Sequence, residues 1–168
     1  MEFKKIQLNG FKSFAEKTNF LIEDGLTGIV GPNGCGKSNI VESLRWVMGE
    51  TSAKSMRGSG MEDVIFSGTS NKASKNIAEV SIEVENKDKE GPIQYRELEQ
   101  IQIRRKIEKD KGSKFYINDK GVRARDAQMF FADLSTGAHS PSMISQGRIG
   151  ALVTALSLIH ISEPTRPY

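Results

Sequence analysis

The chain has 168 residues, 37% of them hydrophobic, and a formal net charge of +3 with a pI near 9.0. That length suits one domain with a core and falls short of two ordinary ones, while mild basicity permits contact with nucleic acid without arguing for it. The single cysteine, Cys35, excludes an internal disulfide framework, and neither a signal peptide nor a membrane-length apolar run is present, so a cytoplasmic setting is expected.

Phe3, Ile6 and Leu8, followed by Phe11 and Phe14 around Gly10, predict a strand and a turn, with a second strand at 19–22 and a short buried one at 26–30. Residues 31–38 then read G-P-N-G-C-G-K-S. Gly31, Gly36, Lys37 and Ser38 fit the spacing G-x-x-x-x-G-K-[ST], in which glycines let successive backbone N–H groups face a polyphosphate. In that pattern Lys37 reaches the β- and γ-phosphates and the Ser38 hydroxyl takes one position on Mg²⁺. Ile40, Val41, Leu44, Val47 and Met48 recur on one helical face, so the order strand, loop, helix puts a helix N-terminus, with its free N–H groups, at the phosphates.

Residues 50–60 read as a surface loop, and 61–68 briefly return apolar side chains. Residues 77–85 alternate, with Ile77, Val80, Ile82 and Val84 set against Glu79, Ser81, Glu83 and Glu85, which predicts a half-buried strand. After a polar break at 86–92, Ile101, Ile103 and Ile107 mark another strand. Arg104, Arg105, Lys106, Lys109 and Lys111 along it fit a solvated strand face as well as a phosphate-binding one. A hairpin turn at 109–113 leads into 115–118, and 118–121 reads as a further turn. Ala127, Phe130, Phe131 and Leu134 predict a helix over 123–134, and 143–145 a short strand ending at Gln146. Trp46 reads as packing, and His139 and His160 form no metal cluster. The whole predicts an α/β core with an antiparallel flap.

With these segments placed, the chain resembles the N-terminal half of the head of bacterial SMC (structural maintenance of chromosomes) proteins, ATPases of the ABC class. The resemblance runs over 1–155 and is carried by GFKSF at 10–14, GPNGCGKSNIVESLRWVMGE at 31–50, SAKSMRG at 52–58, MEDVIFSG at 61–68 and MISQG at 143–147. It implies a P-loop NTPase of the ABC/SMC head type, N-terminal lobe only, with an antiparallel β flap beside the P-loop strand and helix. It further implies that Gly31, Pro32, Asn33, Gly34, Cys35, Gly36, Lys37, Ser38 and Asn39 hold ATP, with Lys12 reaching the phosphates from the flap. Ser38 and Gln146 would serve Mg²⁺, Gln146 would also sense the attacking water, and Arg57 would stabilise phosphoryl charge. The implied partners are DNA, a second SMC head and a kleisin-type subunit, in a nucleoid-associated, cytoplasmic protein acting in chromosome condensation and segregation. Cys35 stands where the family usually has serine; only its backbone N–H faces phosphate in this motif.

An ABC-type engine also needs an Mg²⁺-binding acid after a buried strand, a glutamate following it, and a serine-glycine signature from a second head. Residues 129–133, MFFAD, have the form of the first, but leucine follows the acid and the apolar spacing is helical; LSTG at 134–137 stands in the wrong chain order for the signature. The chain alone is therefore expected to be inactive in hydrolysis. Residues 156–166, LSLIHISEPTR, match an in-frame translation of a transposase-derived sequencing adaptor in all eleven codons, so 156–168 is expected to be a non-native tail. Two other readings remain open for these residues: a head from a RecN- or RecF-like DNA repair ATPase, and a nucleotide-binding module without hydrolysis.

Overall fold

A computed structural model describes residues 2–23, 36–49, 60–89 and 91–133. Within them, strands β1 (Glu2–Asn9), β2 (Thr18–Leu21), β3 (Ile77–Glu85), β4 (Gln100–Glu108), β5 (Gly112–Ile117) and β6 (Lys120–Val122) form one six-stranded sheet in the order β2-β1-β3-β4-β5-β6, antiparallel throughout. Helices α1 (Lys37–Val47) and α2 (Ala124–Asp133) join their buried residues to one face of it in a single apolar cluster. This sheet is the expected flap. The strand expected at 26–30, the loop at 50–59 and the strand at 143–145 lie outside the described residues.

Register explains the cluster. Ile6, Ile82, Ile103 and Ile117 stand opposite one another across four strands, and all are buried. The next row is Leu8, Val80, Arg105, Phe115 and Val122, an apolar row with a guanidinium at its centre. Period-2 alternation sends the intervening side chains to the other face, where Lys5 meets Glu83 at 3.0 Å and Arg104 lies 4.4 Å over the Tyr116 ring. Arg104 also reaches Glu79 at 3.4 Å and Asp119 at 3.2 Å. It thus sits on a half-solvated polar face, one of the two placements the sequence left open for it.

Three expectations shift. Strand β3 has the anticipated bounds, but Ile77 is 39% exposed while Ala78 is buried, because the inward phase runs Ala78, Val80, Ile82, Val84; Ser81, on the opposite face, is buried as well. The turn expected at 118–121 is shorter. Asn118 and Asp119, at φ +48° and +64°, make a two-residue connection, and Lys120 and Gly121 already pair with Ile117 and Tyr116. Third, the buried side of α1 is Ile40, Glu42, Ser43, Trp46 and Val47, with Val41 and Leu44 on its flanks. Of its polar members, the Ser43 hydroxyl donates to the Ile40 carbonyl at 2.6 Å and Glu42 Oε2 lies 3.4 Å from the Lys12 ammonium.

Candidate functional site

The site is built where the 10–14 turn presses on the start of α1. Gly10 turns the chain at φ +65°, and a Cβ there would lie 2.3 Å from the Ile77 carbonyl oxygen, so only glycine lets β1 hand over to the turn beside β3. Phe11 and Phe14 then exchange backbone hydrogen bonds at 3.1 and 2.8 Å, leaving Lys12 and Ser13 at the tip, with Lys12 itself at φ +50°. Residues 61–66 clamp this turn. The Lys12 N–H donates to the Val64 carbonyl, the Phe66 N–H donates to the Gly10 carbonyl, and Phe11 bridges Ile65. Two of the motifs read from sequence, GFKSF and MEDVIFSG, are thereby one structural unit.

The tip meets α1 at its first turn. The Asn39 amide donates to the Ser13 hydroxyl at 2.9 Å. Gly36 caps the helix in the left-handed region at φ +97°, and a Cβ on it would come within 2.9 Å of Ser13 Oγ and 3.3 Å of the Phe14 ring. No side-chain hydrogen bond caps the helix and its first turn carries no acid; the Asn39 N–H donates to the Gly36 carbonyl at 3.0 Å, and the N–H groups ahead of it are those an incoming anion would meet. Lys37 opens the helix half-buried, and Ser38 follows it exposed. These observations fit a phosphate group, and a hard serine hydroxyl beside it fits Mg²⁺.

Lys12 is placed differently from a simple phosphate contact. Its ammonium lies 3.4 Å from Glu42 Oε2, with the two side chains only 15% and 6% exposed, so the flap lysine is ion-paired to the second turn of α1. The site therefore gathers Lys12, Gly36, Lys37, Ser38 and Asn39, together with Ser13 and Glu42, which sequence reading did not single out. Ser13 stands between the glycine and the asparagine it supports, a relation that only folding creates. Gly31, Pro32, Asn33, Gly34, Cys35, Arg57 and Gln146 lie outside the described residues.

The far end of α1 is held by two side chains. Gln128 Nε2 donates to the Gly49 carbonyl at 2.9 Å, and Arg105 Nη1 donates to the Trp46 carbonyl at 2.9 Å. Arg105 is 3% exposed, which overturns both readings the sequence left open for it, a solvated strand residue and a phosphate contact. Its guanidinium lies 4.7 Å over the Trp46 ring and 4.6 Å over the Phe115 ring. Its Nε and Nη2 donate to Ser113 Oγ at 3.3 and 3.1 Å. Parity could have found it, since 101, 103, 105 and 107 share one face. Trp46, fully buried against Phe11, packs as expected.

Among the described residues no helix is long and apolar enough to cross a membrane, and no group of three or more His, Cys, Asp or Glu is placed to hold a metal. The family model described as RecF/RecN/SMC N terminal domain matches residues 2–165. The chain is 53% identical over 155 residues to a chromosome partition protein Smc of Cereibacter sphaeroides, an alignment that covers 92% of this chain and 14% of that relative. Its fold is similar, at TM-score 0.83 and 32% identity, to an Smc head bound to the C-winged helix domain of ScpA, covering 91% of this chain and 46% of that one. A structure of SMC ATPases, described with their ATP-driven dimerisation and DNA-stimulated activation, matches at TM-score 0.82 and 30% identity. That match covers 96% of this chain and all of the other.

Proposed function

Because the chain belongs to the RecF/RecN/SMC N-terminal domain family, we propose that residues 1–155 are the N-terminal lobe of a chromosome-partition SMC ATPase head; although the family model extends to residue 165, we propose on separate grounds that 156–168 is a non-native tail. The lobe binds ATP and Mg²⁺ at the start of α1 as one half of a divided site. The observation that carries this reading is the chemistry of that helix start: a left-handed glycine held against Ser13 and Phe14, then Lys37, with no acid in the first turn. The reading of the tail rests on the residue-for-residue agreement of 156–166 with an in-frame translation of an adaptor, and sequencing the genomic locus beyond the codon for Ala155 tests it.

Each residue has an assignable task. The N–H groups of 33–38 and the Lys37 ammonium hold the β- and γ-phosphates, the Ser38 hydroxyl would help hold Mg²⁺, and Asn39 braces the flap through Ser13. Lys12 brings a second cation to the flank of the site, its charge balanced by Glu42. Gln146 and Arg57 supply the water-sensing and charge-stabilising roles. Ser38 and Gln146 would help hold Mg²⁺, which when bound would supply positive charge against the phosphates. The acid, the glutamate and the signature that complete hydrolysis belong to a second half and a second head, and the whole assembly works with a kleisin-type partner on DNA in chromosome condensation and segregation.

Binding and turnover separate the parts of this proposal. The chain alone should bind ATP in the presence of Mg²⁺ and show no steady release of phosphate, with turnover appearing only when a C-terminal head half is supplied. Steady hydrolysis by the unaided chain would refute the divided site. A DNA contact made through the basic strand residues should weaken steeply between about 50 and 200 mM salt, and a flat response in a binding titration would remove them from that role.

A further inference from the structure

We infer that Arg105 is a positioning residue for the phosphate site, acting from the opposite end of α1; the inference rests on the nucleotide reading above. The guanidinium occupies the centre of an apolar cross-strand row, between Val80 and Phe115, at 3% exposure. Desolvating a cation there is expensive, and an apolar side chain of similar volume would fill the row at lower cost. What the apolar side chain could not supply is direction.

Arg105 gives α1 a fixed address on the sheet. Its Nη1 donates to one particular carbonyl, that of Trp46 in the last turn, where the negative end of the helix dipole favours a cation. The Trp46 and Phe115 rings lie against the guanidinium, and Ser113 Oγ accepts two further donors, so the fork has its orientation set from β5. Helix α1 is a rod about 16 Å long. A rotation or slide released at Trp46 is carried to Gly36, where there is no slack: a Cβ would already collide with Ser13 Oγ. The N–H directions that select a phosphate thus depend on a contact at the other end of the helix. A chain of named contacts runs from Phe115 and Ser113 on β5, through Arg105, to Trp46 and along α1 to Lys37.

Trp46 is the only tryptophan, so its emission reports the contact directly. The experiment uses the full chain and compares Arg105→Met with Ile101→Ala, a buried change on the same face near the other end of β4. Nucleotide affinity is measured at a temperature where each variant is folded, together with the change in Trp46 emission on adding Mg²⁺ and ATP. Arg105→Met should bind about tenfold more weakly and lose most of the emission change, while Ile101→Ala stays within about twofold of the unaltered chain. If Arg105→Met does not fold, Arg105→Lys, which keeps charge and loses the fork, is read the same way. Equal affinities for the Arg105 and Ile101 variants would overturn the inference while leaving the nucleotide reading intact. If the unaltered chain binds no nucleotide, that reading fails and the inference falls with it.

Discussion

In a nucleotide titration, the Lys37→Ala chain should bind ATP about thirtyfold to a hundredfold more weakly than the unaltered chain, the loss expected for a charge-assisted contact to phosphate. Lys37 is the first residue of α1, and alanine is the best helix former, so the helix itself should survive the change. Thermal unfolding without nucleotide therefore separates lost affinity from lost fold. The expected pair of results is an unfolding midpoint within a few degrees of the original, about 1 kcal/mol at most, and a binding curve displaced to much higher concentration. Unchanged affinity would mean that the ammonium faces no phosphate, and the cradle reading would have to be given up.

Gly10→Ala should be the most damaging single-methyl substitution in the flap. It combines a left-handed backbone at φ +65° with a Cβ placed 2.3 Å from the Ile77 carbonyl oxygen, a backbone atom held in the sheet beside β1. The left-handed conformation costs a side chain about 1–2 kcal/mol, and relieving the clash must move either the turn or β3. A total of about 3 kcal/mol, or a fall of roughly 10 °C in midpoint, is the expectation for a domain of this size. Gly121→Ala is the matched control, with nothing within 4 Å of its added Cβ. Denaturation of the two variants side by side decides it; a Gly10→Ala midpoint as high as that of Gly121→Ala would show that the turn yields. The damage should spread to nucleotide binding, because the same turn carries Lys12 and Ser13 to α1.

Much of this arrangement was legible in the sequence because it follows local periodicity. The alternation of 77–85 gave β3 its bounds, and the apolar spacing after Lys37 gave α1. The spacing at 129–133 was rightly read as helical, since those residues lie in α2. What escaped depended on partners distant in the chain. Ile77 looks inward by composition, yet the phase of the strand is set by pairing with β1 and β4, which turns Ala78 inward instead. Arg105 looks solvated by charge, yet its parity and the rings of Trp46 and Phe115 bury it. Nothing in the local sequence marks Glu42, which meets Lys12 from thirty residues earlier only in the fold. The motif residues announced a phosphate site; the contacts that aim it were written only in the register.

The strand order carries a consequence for the order in which the chain assembles. Strands β3 to β6 follow one another as neighbours, so their contacts are local and cheap in loop entropy. Strand β1 instead pairs with β3, Gln7 facing Ser81, across about seventy residues that include the phosphate loop and α1. The meander can therefore form first, and Arg105 is in place beside Phe115 before β1 docks. Pulse-labelled hydrogen exchange should show amides of β4 and β5 protected ahead of those of β1, and simultaneous protection would argue against this sequence of events. During synthesis β1 emerges well ahead of β3, so although β2 pairs with one edge early, the other edge stays unpaired and exposed until β3 arrives.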